Sequence, residues 1–173
     1  MGLPQYAKSV ILELCRKYGP ALHTPEDING AALMAAVAQN ESSLGYNCAP
    51  RFEPAYYFGG LYCKGDQLEL CEKYGRAAAC SYGPWQVMAI NARPISIGQL
   101  ISDPEAGAQA FVQFFNNYVI AGKRAGTISE IAQVYNSGHI APNPAPGVLR
   151  YVHDLQAAYI DAQGAEGNAS SIA

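Results

Sequence analysis

The segment Ala31-Ala32-Leu33-Met34-Ala35-Ala36-Val37-Ala38-Gln39-Asn40-Glu41-Ser42-Ser43 reads as one core helix that ends on an acid. The apolar run Ala31 to Ala38 has the length of a buried helix and falls well short of the roughly 20 residues that cross a bilayer. Upstream, Thr24-Pro25-Glu26-Asp27 carries helix-start signals: Thr24 as N-cap, Pro25 at the first position and acids in the first turn. The helix should run to about Asn40, with Glu41 at or near its C-terminal end.

Working outward, the rest of the pattern is also mostly helical. Pro4 to Tyr18 carries Val10, Ile11 and Leu14 on one face and stops at Gly19-Pro20. Asp103-Pro104-Glu105 opens an amphipathic helix with Ala108, Phe111, Val112, Phe115 and Val119 inward. Thr127-Ile128-Ser129-Glu130 is a capping box that opens a short helix through Tyr135. A Pro-rich loop, Ala141 to Pro146, precedes a last helix from Gly147 to about Gln163. Pro84 is expected to start a helical piece through Met88 and Asn91. Between Gly45 and Cys80 lies a Gly, Tyr and Cys-rich segment with a short helix at Gln67 to Tyr74. Its aromatic stretch Phe52 to Tyr62 is β-prone and suits a hairpin. No internal repeat and no long strand pair is evident. The expectation is one domain over residues 1–163, followed by a small, polar, flexible tail over 164–173.

Bulk composition narrows the function classes. The 173 residues are 50% hydrophobic and 14% charged, which indicates a globular chain with a proper core. A formal net charge of −3 and a pI near 5.5 argue against long-range attraction to nucleic acid or anionic lipid. The basic pairs Arg16-Lys17 and Lys123-Arg124 read as solvated helix ends. His23, His139 and His153 are scattered, with no nucleophile motif to join them. Cys15 stands alone on the first helix as a small hydrophobe. Cys48, Cys63, Cys71 and Cys80 cluster in the segment before Gly83 without Cys-x-x-Cys spacing, so no metal site is expected. One or two disulfides among these four are expected, in one of three pairings; reduced, buried thiols are the alternative.

Three pieces follow in order: Glu41-Ser42-Ser43, then Tyr82-Gly83-Pro84-Trp85-Gln86-Val87-Met88, then Val134-Tyr135-Asn136-Ser137-Gly138. A glycosidic oxygen is a poor leaving group and must be protonated as its bond breaks. Glu41 suits a donor, because a helix C-terminus and apolar surroundings both disfavour a second negative charge. An exposed Glu at a helix end is the plainer alternative. Gly83 allows close backbone approach to a sugar or to the catalytic helix. Trp85 and Tyr82 offer flat faces to pyranose rings, and Gln86 offers a donor and an acceptor to an acetamido group. Against this, Trp85 could be a core residue with Gln86 on the surface. Tyr135 could hold the Glu41 carboxyl or be a core tyrosine, and Asn136 could bind substrate or cap its helix.

These motifs resemble the lysozyme-like lytic transglycosylases of the soluble type, related in fold to goose-type lysozyme. That family's Glu-Ser, Gly-Leu-Met-Gln and Ala-Tyr-Asn motifs correspond here to Glu41-Ser42, Gly83-Pro84-Trp85-Gln86 and Val134-Tyr135-Asn136. The resemblance spans roughly Ile28 to Tyr159. It implies a mainly α, lysozyme-like helical domain with at most a small β-hairpin and a cysteine-containing insertion. It also implies Glu41 as general acid/base, Tyr135 as the residue that positions it, and a cleft lined by Gly83 and Gln86. Ser42, Tyr82, Trp85 and Asn136 complete the expected substrate-binding set. Pro84-Trp85 departs from the family's Leu-Met, and the segment between the first two motifs is long. Within it, Arg51-Phe52-Glu53-Pro54 is similar to a Phe-Glu element of phage-type N-acetylmuramidases.

The implied substrate is the glycan strand of peptidoglycan, cut between N-acetylmuramic acid and N-acetylglucosamine; chitin shares the acetamido group and the linkage. A transglycosylase needs one carboxylate and closes a 1,6-anhydro ring, whereas a hydrolysing muramidase usually adds a second carboxylate. Glu53 and Asp66 are the candidates for that second role, Glu53 first, unless Glu53 pairs with Arg51 or Arg76. A glycan-binding domain without activity is the third alternative. No cofactor and no nucleic-acid partner is implied, and a monomer is expected. The start Met1-Gly2-Leu3-Pro4-Gln5-Tyr6 has neither a signal-peptide pattern nor a myristoylation pattern. An enzyme acting outside the cytoplasm would then have lost a leader or travel by another route, as a phage-borne lysin does.

Overall fold

The structure is a computed structural model that describes residues 5–170, with side chains described as far as 165. It is mainly helical: α1 Lys8–Tyr18, α2 Gly30–Ser42, α3 Asp66–Tyr74, α4 Ile97–Ser102, α5 Pro104–Phe114, α6 Ile128–Ser137 and α7 Pro146–Ser170. A small antiparallel sheet completes it, with β1 Arg51–Phe52, β2 Cys80–Tyr82 and β3 Val87–Met88 in the order β1-β2-β3. Among the described residues, no helix is long and apolar enough to cross a membrane.

α2 is buried on every side from Ala32 to Ala38, as a helix without a polar face must be. α7 packs along it, α1 lies against it, and α6 backs α7. Two tyrosines fix the direction of α7: Tyr159 Oη accepts from the Asn29 N–H at the start of α2, and Tyr151 Oη bonds Glu41 at its end. The two helices therefore run antiparallel. Leu155, one helical turn from each tyrosine, is fully buried between them in sequence.

α2 begins later than its sequence signals suggest. Asn29 is the N-cap, its side chain accepting from the Ala32 N–H at 3.0 Å. Thr24 instead donates to the Ile28 carbonyl, closing a turn over Pro25 to Asp27. The cause is tertiary: Gly19 and Gly30 touch backbone to backbone, so that a Cβ on Gly30 would lie 2.2 Å from the Gly19 oxygen. Only after that contact can the helix start. At the other end Ser43 takes left-handed backbone, φ +52°, and its N–H closes the helix onto Ala38 and Gln39. Glu41 is thereby left in the last turn.

Other expectations fare unevenly. α3, the Asp103 cap with Pro104 at its first position and the Thr127–Glu130 capping box are all present. The first helix is described from Lys8, and Pro4 lies outside the described residues. α5 continues into a π-helical stretch, Phe115–Gly122, that keeps Phe115 and Val119 inward. The expected hairpin over Phe52 to Tyr62 is absent; Pro54–Tyr56 forms a 3-10 turn instead. The expected helix from Pro84 is a tight turn between β2 and β3. Pro suits the second position of such a turn as well as the first turn of a helix. α7 runs on to Ser170, so Gly164 to Ser170 is helical rather than a loose tail, and residues 171–173 lie outside the described residues.

The expected disulfides are also absent. Cys48, Cys63, Cys71 and Cys80 are thiols. Three of them donate to carbonyls: Cys48 to Gly45, Cys71 to Tyr56 and Cys80 to Arg76. Burial pushes the Cys48 thiol up to about 11, which keeps it protonated and unreactive.

Candidate active site

Glu41 projects from the last turn of α2 with only 4% of its side chain exposed. A buried carboxylate needs donors, and two reach it from distant parts of the chain. Tyr151 on α7 donates to Oε1 at 2.7 Å. Arg51, the first residue of β1, donates through Nη1 to Oε2 at 3.0 Å. Tyr151 is partly buried; desolvation first and then the Glu41 charge hold its phenol well above the usual range. It is thus a neutral, permanent donor.

Arg51 has a second partner. Its Nε donates to Glu53 Oε1 at 2.8 Å, so one guanidinium spans both carboxylates. The strand makes this arrangement, because residues two apart in extended chain face the same way. Phe52, between them, points to the other side, edge-on to Tyr57 and beneath the Arg76 guanidinium. Ladder pairing fixes the register, with Arg51 opposite Ser81 and the Glu53 N–H bonded to the Ala79 carbonyl. A rigid fork of this size keeps the bonded Glu41 and Glu53 oxygens within about 8 Å of each other. Burial works against the charge on Arg51, yet Glu41 and Glu53 outweigh it and hold the guanidinium above its ordinary value.

Tyr135 is not the residue that holds Glu41. Its hydroxyl donates to the Trp85 carbonyl, and its ring packs on Phe111 and Phe114 at centroid distances of 5.8 and 5.7 Å. Desolvation raises its phenol far above the usual range, with a further push from the nearby Glu41 charge. It stands behind the site and braces the Gly83–Gln86 turn.

That turn is structural throughout. Trp85 is fully buried, its indole N–H donating to the Met34 carbonyl of α2 at 2.9 Å and its ring facing Phe111. It cannot stack on a sugar. Tyr82 is buried too, its hydroxyl donating to the Ala77 carbonyl at 2.6 Å. Gln86 accepts from Ser81 and donates to the Gly83 and Ala49 carbonyls, which leaves its amide engaged inside the protein. Gly83 is required by its φ of +73° at the head of the turn. Ser42 is buried and bridges the Ala38 carbonyl and the Gly45 N–H, sealing the helix end. Of the expected substrate-binding set, only Asn136 is exposed.

The residues brought together at Glu41 are therefore Arg51, Glu53 and Tyr151. Asp66, the other carboxylate considered, is engaged elsewhere with Arg93 at 3.0 Å. Two cavities, of about 350 Å³ beside Lys73 and Arg93 and about 400 Å³ beside Ile128 and Tyr159, include none of the Glu41 cluster. Sequence reasoning missed Tyr151 and treated Arg51 only as a partner for Glu53. A faint signal for each exists: Tyr151, Leu155 and Tyr159 repeat every four residues, and Arg51-Phe52-Glu53 alternates charge and ring. No protein-family model, curated protein or solved structure matches the chain.

Proposed function

We propose that this chain is a peptidoglycan-cleaving enzyme of the lysozyme-like, lytic transglycosylase kind, with Glu41 as its general acid and base. One observation carries the reading: a single carboxylate at the end of the central helix, nearly buried, fixed by donors from two other segments. Any buried acid needs donors; here they come from a helix and a strand far apart in the chain and hold both oxygens of one carboxyl group. The order of the Glu41-Ser42, Gly83–Gln86 and Tyr135-Asn136 motifs supports the same reading.

In this mechanism Glu41 gives its proton to the oxygen that links N-acetylmuramic acid to N-acetylglucosamine, and that bond breaks. The positive character left on the muramic ring is met by the ring's own 6-hydroxyl. Glu41, now a carboxylate, takes the hydroxyl proton as the 1,6-anhydro ring closes, which returns the enzyme to its starting state. Tyr151 holds the carboxyl in place through both transfers. Such an enzyme acts outside the cytoplasm.

A second reading rests on Glu53. Its oxygen lies within about 8 Å of the Glu41 oxygen, a span that accommodates a water between two carboxylates in a hydrolase. Mass spectrometry of muropeptides released from purified peptidoglycan separates the two. Anhydro ends from the wild type, with release reduced about 10³-fold in Glu41→Gln, are the expected result. Reducing ends would replace the lyase by the hydrolase, and release unchanged in Glu41→Gln would remove Glu41 from the chemistry.

A further inference from the structure

Arg51 has a place in the site that neither the motif order nor the one-carboxylate mechanism requires. It begins a two-residue strand, carries a side chain 57% exposed, and grips a carboxylate that is 4% exposed. The two ends of this ion pair differ sharply in exposure. Arg51 stands at the surface, held from behind by Glu53, whose side chain is 33% exposed. The groups that face Glu41 are Arg51 from β1, Tyr151 from α7 and Tyr135 from α6, with Glu53 joined through the guanidinium. Both tyrosines stay neutral, so Arg51 and Glu53 are the charges in this set.

We propose that Arg51 is a positioning residue that sets the charge state of Glu41, and that Glu53 acts through Arg51 rather than on substrate. The guanidinium remains charged at every pH the protein experiences. Beside an acid that must be protonated to start the reaction, a fixed cation favours the ionised form. Glu53 draws part of that influence to itself. The pair thus tunes where along the pH scale Glu41 can donate. This rests on Glu41 being the general acid, but the coupling among the three side chains does not.

Opposite effects of two substitutions test it. A general acid loses activity as pH rises past the point where it loses its proton. Arg51→Met removes the cation and leaves Glu53 repelling Glu41, so the alkaline limb of the pH–rate profile should move up by about one pH unit. Glu53→Gln keeps the shape and removes the anion that balances Arg51, so the limb should move down by about half a unit. Arg51→Lys, which keeps the charge, should restore most of the wild-type profile. Loss of local structure alone would not send Arg51→Met and Glu53→Gln in opposite directions.

The same variants are titrated by carbon-13 NMR on the Glu41 carboxyl, assigned by comparison with Glu41→Gln, and the muropeptide assay is run beside it. Carboxyl midpoints that move up in Arg51→Met and down in Glu53→Gln support the proposal. If they move so while no preparation releases muropeptides, the coupling stands and the glycan-cleavage reading falls. Midpoints that stay put, or that move the same way in both variants, overturn the proposal whatever the assay shows.

Discussion

Two polar regions flank α2, and they use their polar groups in opposite ways. At its C-terminal end, Glu41, Tyr151 and Arg51 come from a helix, a distant helix and a strand, and their bonds converge on one carboxyl group. In the Gly83–Gln86 turn, Trp85, Gln86 and the adjoining Ser81 and Tyr82 bond mainly to backbone carbonyls, and those bonds diverge. The first pattern fixes one carboxyl group and leaves an exposed guanidinium beside it. The second ties a hairpin to the core. Both regions belong to the same set of family-like motifs, so membership in a motif does not tell a chemical residue from a scaffold residue. The direction in which the hydrogen bonds run is the criterion that the substitutions below test.

The largest difference between the regions should appear on truncating Trp85. Trp85→Ala removes a fully buried ring and leaves the Met34 carbonyl without that donor, at a cost of about 3–5 kcal/mol in unfolding free energy. Denaturant unfolding measures it. Muropeptide release by the folded fraction should fall far less than in Glu41→Gln. A stable Trp85→Ala protein with glycan binding abolished would restore Trp85 to the substrate side and break the comparison.

The two tyrosines sharpen it further. Tyr151→Phe removes the donor to Glu41 while keeping the ring, so release should drop about ten- to a hundredfold, and a nearly buried carboxylate that loses a donor should also cost about 1–3 kcal/mol in unfolding. Tyr135→Phe leaves the Trp85 carbonyl unpaired, so about 1–3 kcal/mol of stability should be lost, with the smaller effect on rate. Steady-state release rates and melting curves on both variants decide the matter. The reverse outcome would make Tyr135 the residue that holds the acid, as the family resemblance implies.

How much of this was legible in the sequence follows from how local each feature is. The Thr127–Glu130 capping box and the Asp103-Pro104 start depend on three or four consecutive residues, and they read correctly. The run Ala31 to Ala38 announced a core helix, and Glu41 falls in its last turn as expected. Its start did not read, because the contact between Gly19 and Gly30 overrides the Thr24 signal. Pro84 opens a turn and a helix equally well, and the pairing of Val87 and Met88 with β2 decided between them. For Trp85 and Tyr82 the sequence leaves a sugar-binding face and a core place open, since an aromatic ring looks alike in a cleft and in a core; both are buried. Tyr151 is one of 12 tyrosines, and only the antiparallel packing of α7 on α2 brings it to Glu41.

The cysteines give the smallest expected effect, and they bear directly on whether the two regions are independent. Cys48 lies on the chain that leaves Glu41, its thiol bonded to the Gly45 carbonyl, while Cys80 opens the strand that leads into the Gly83 turn. A disulfide between Cys48 and Cys80 would join the regions covalently, and closing a loop of that size typically adds about 3–4 kcal/mol. With thiols at all four positions, the regions are joined by non-covalent contacts such as the β1–β2 ladder, the Ser81–Arg51 and Gln86–Ala49 bonds and packing on α2. Adding dithiothreitol should therefore leave the melting temperature within about 1 °C, and alkylation after unfolding without reductant should label Cys48, Cys63, Cys71 and Cys80. A fall of several degrees on reduction, with Cys48 and Cys80 unlabelled beforehand, would mean that a covalent tie couples the Glu41 cluster to the turn. Trp85→Ala would then disturb catalysis as well as stability.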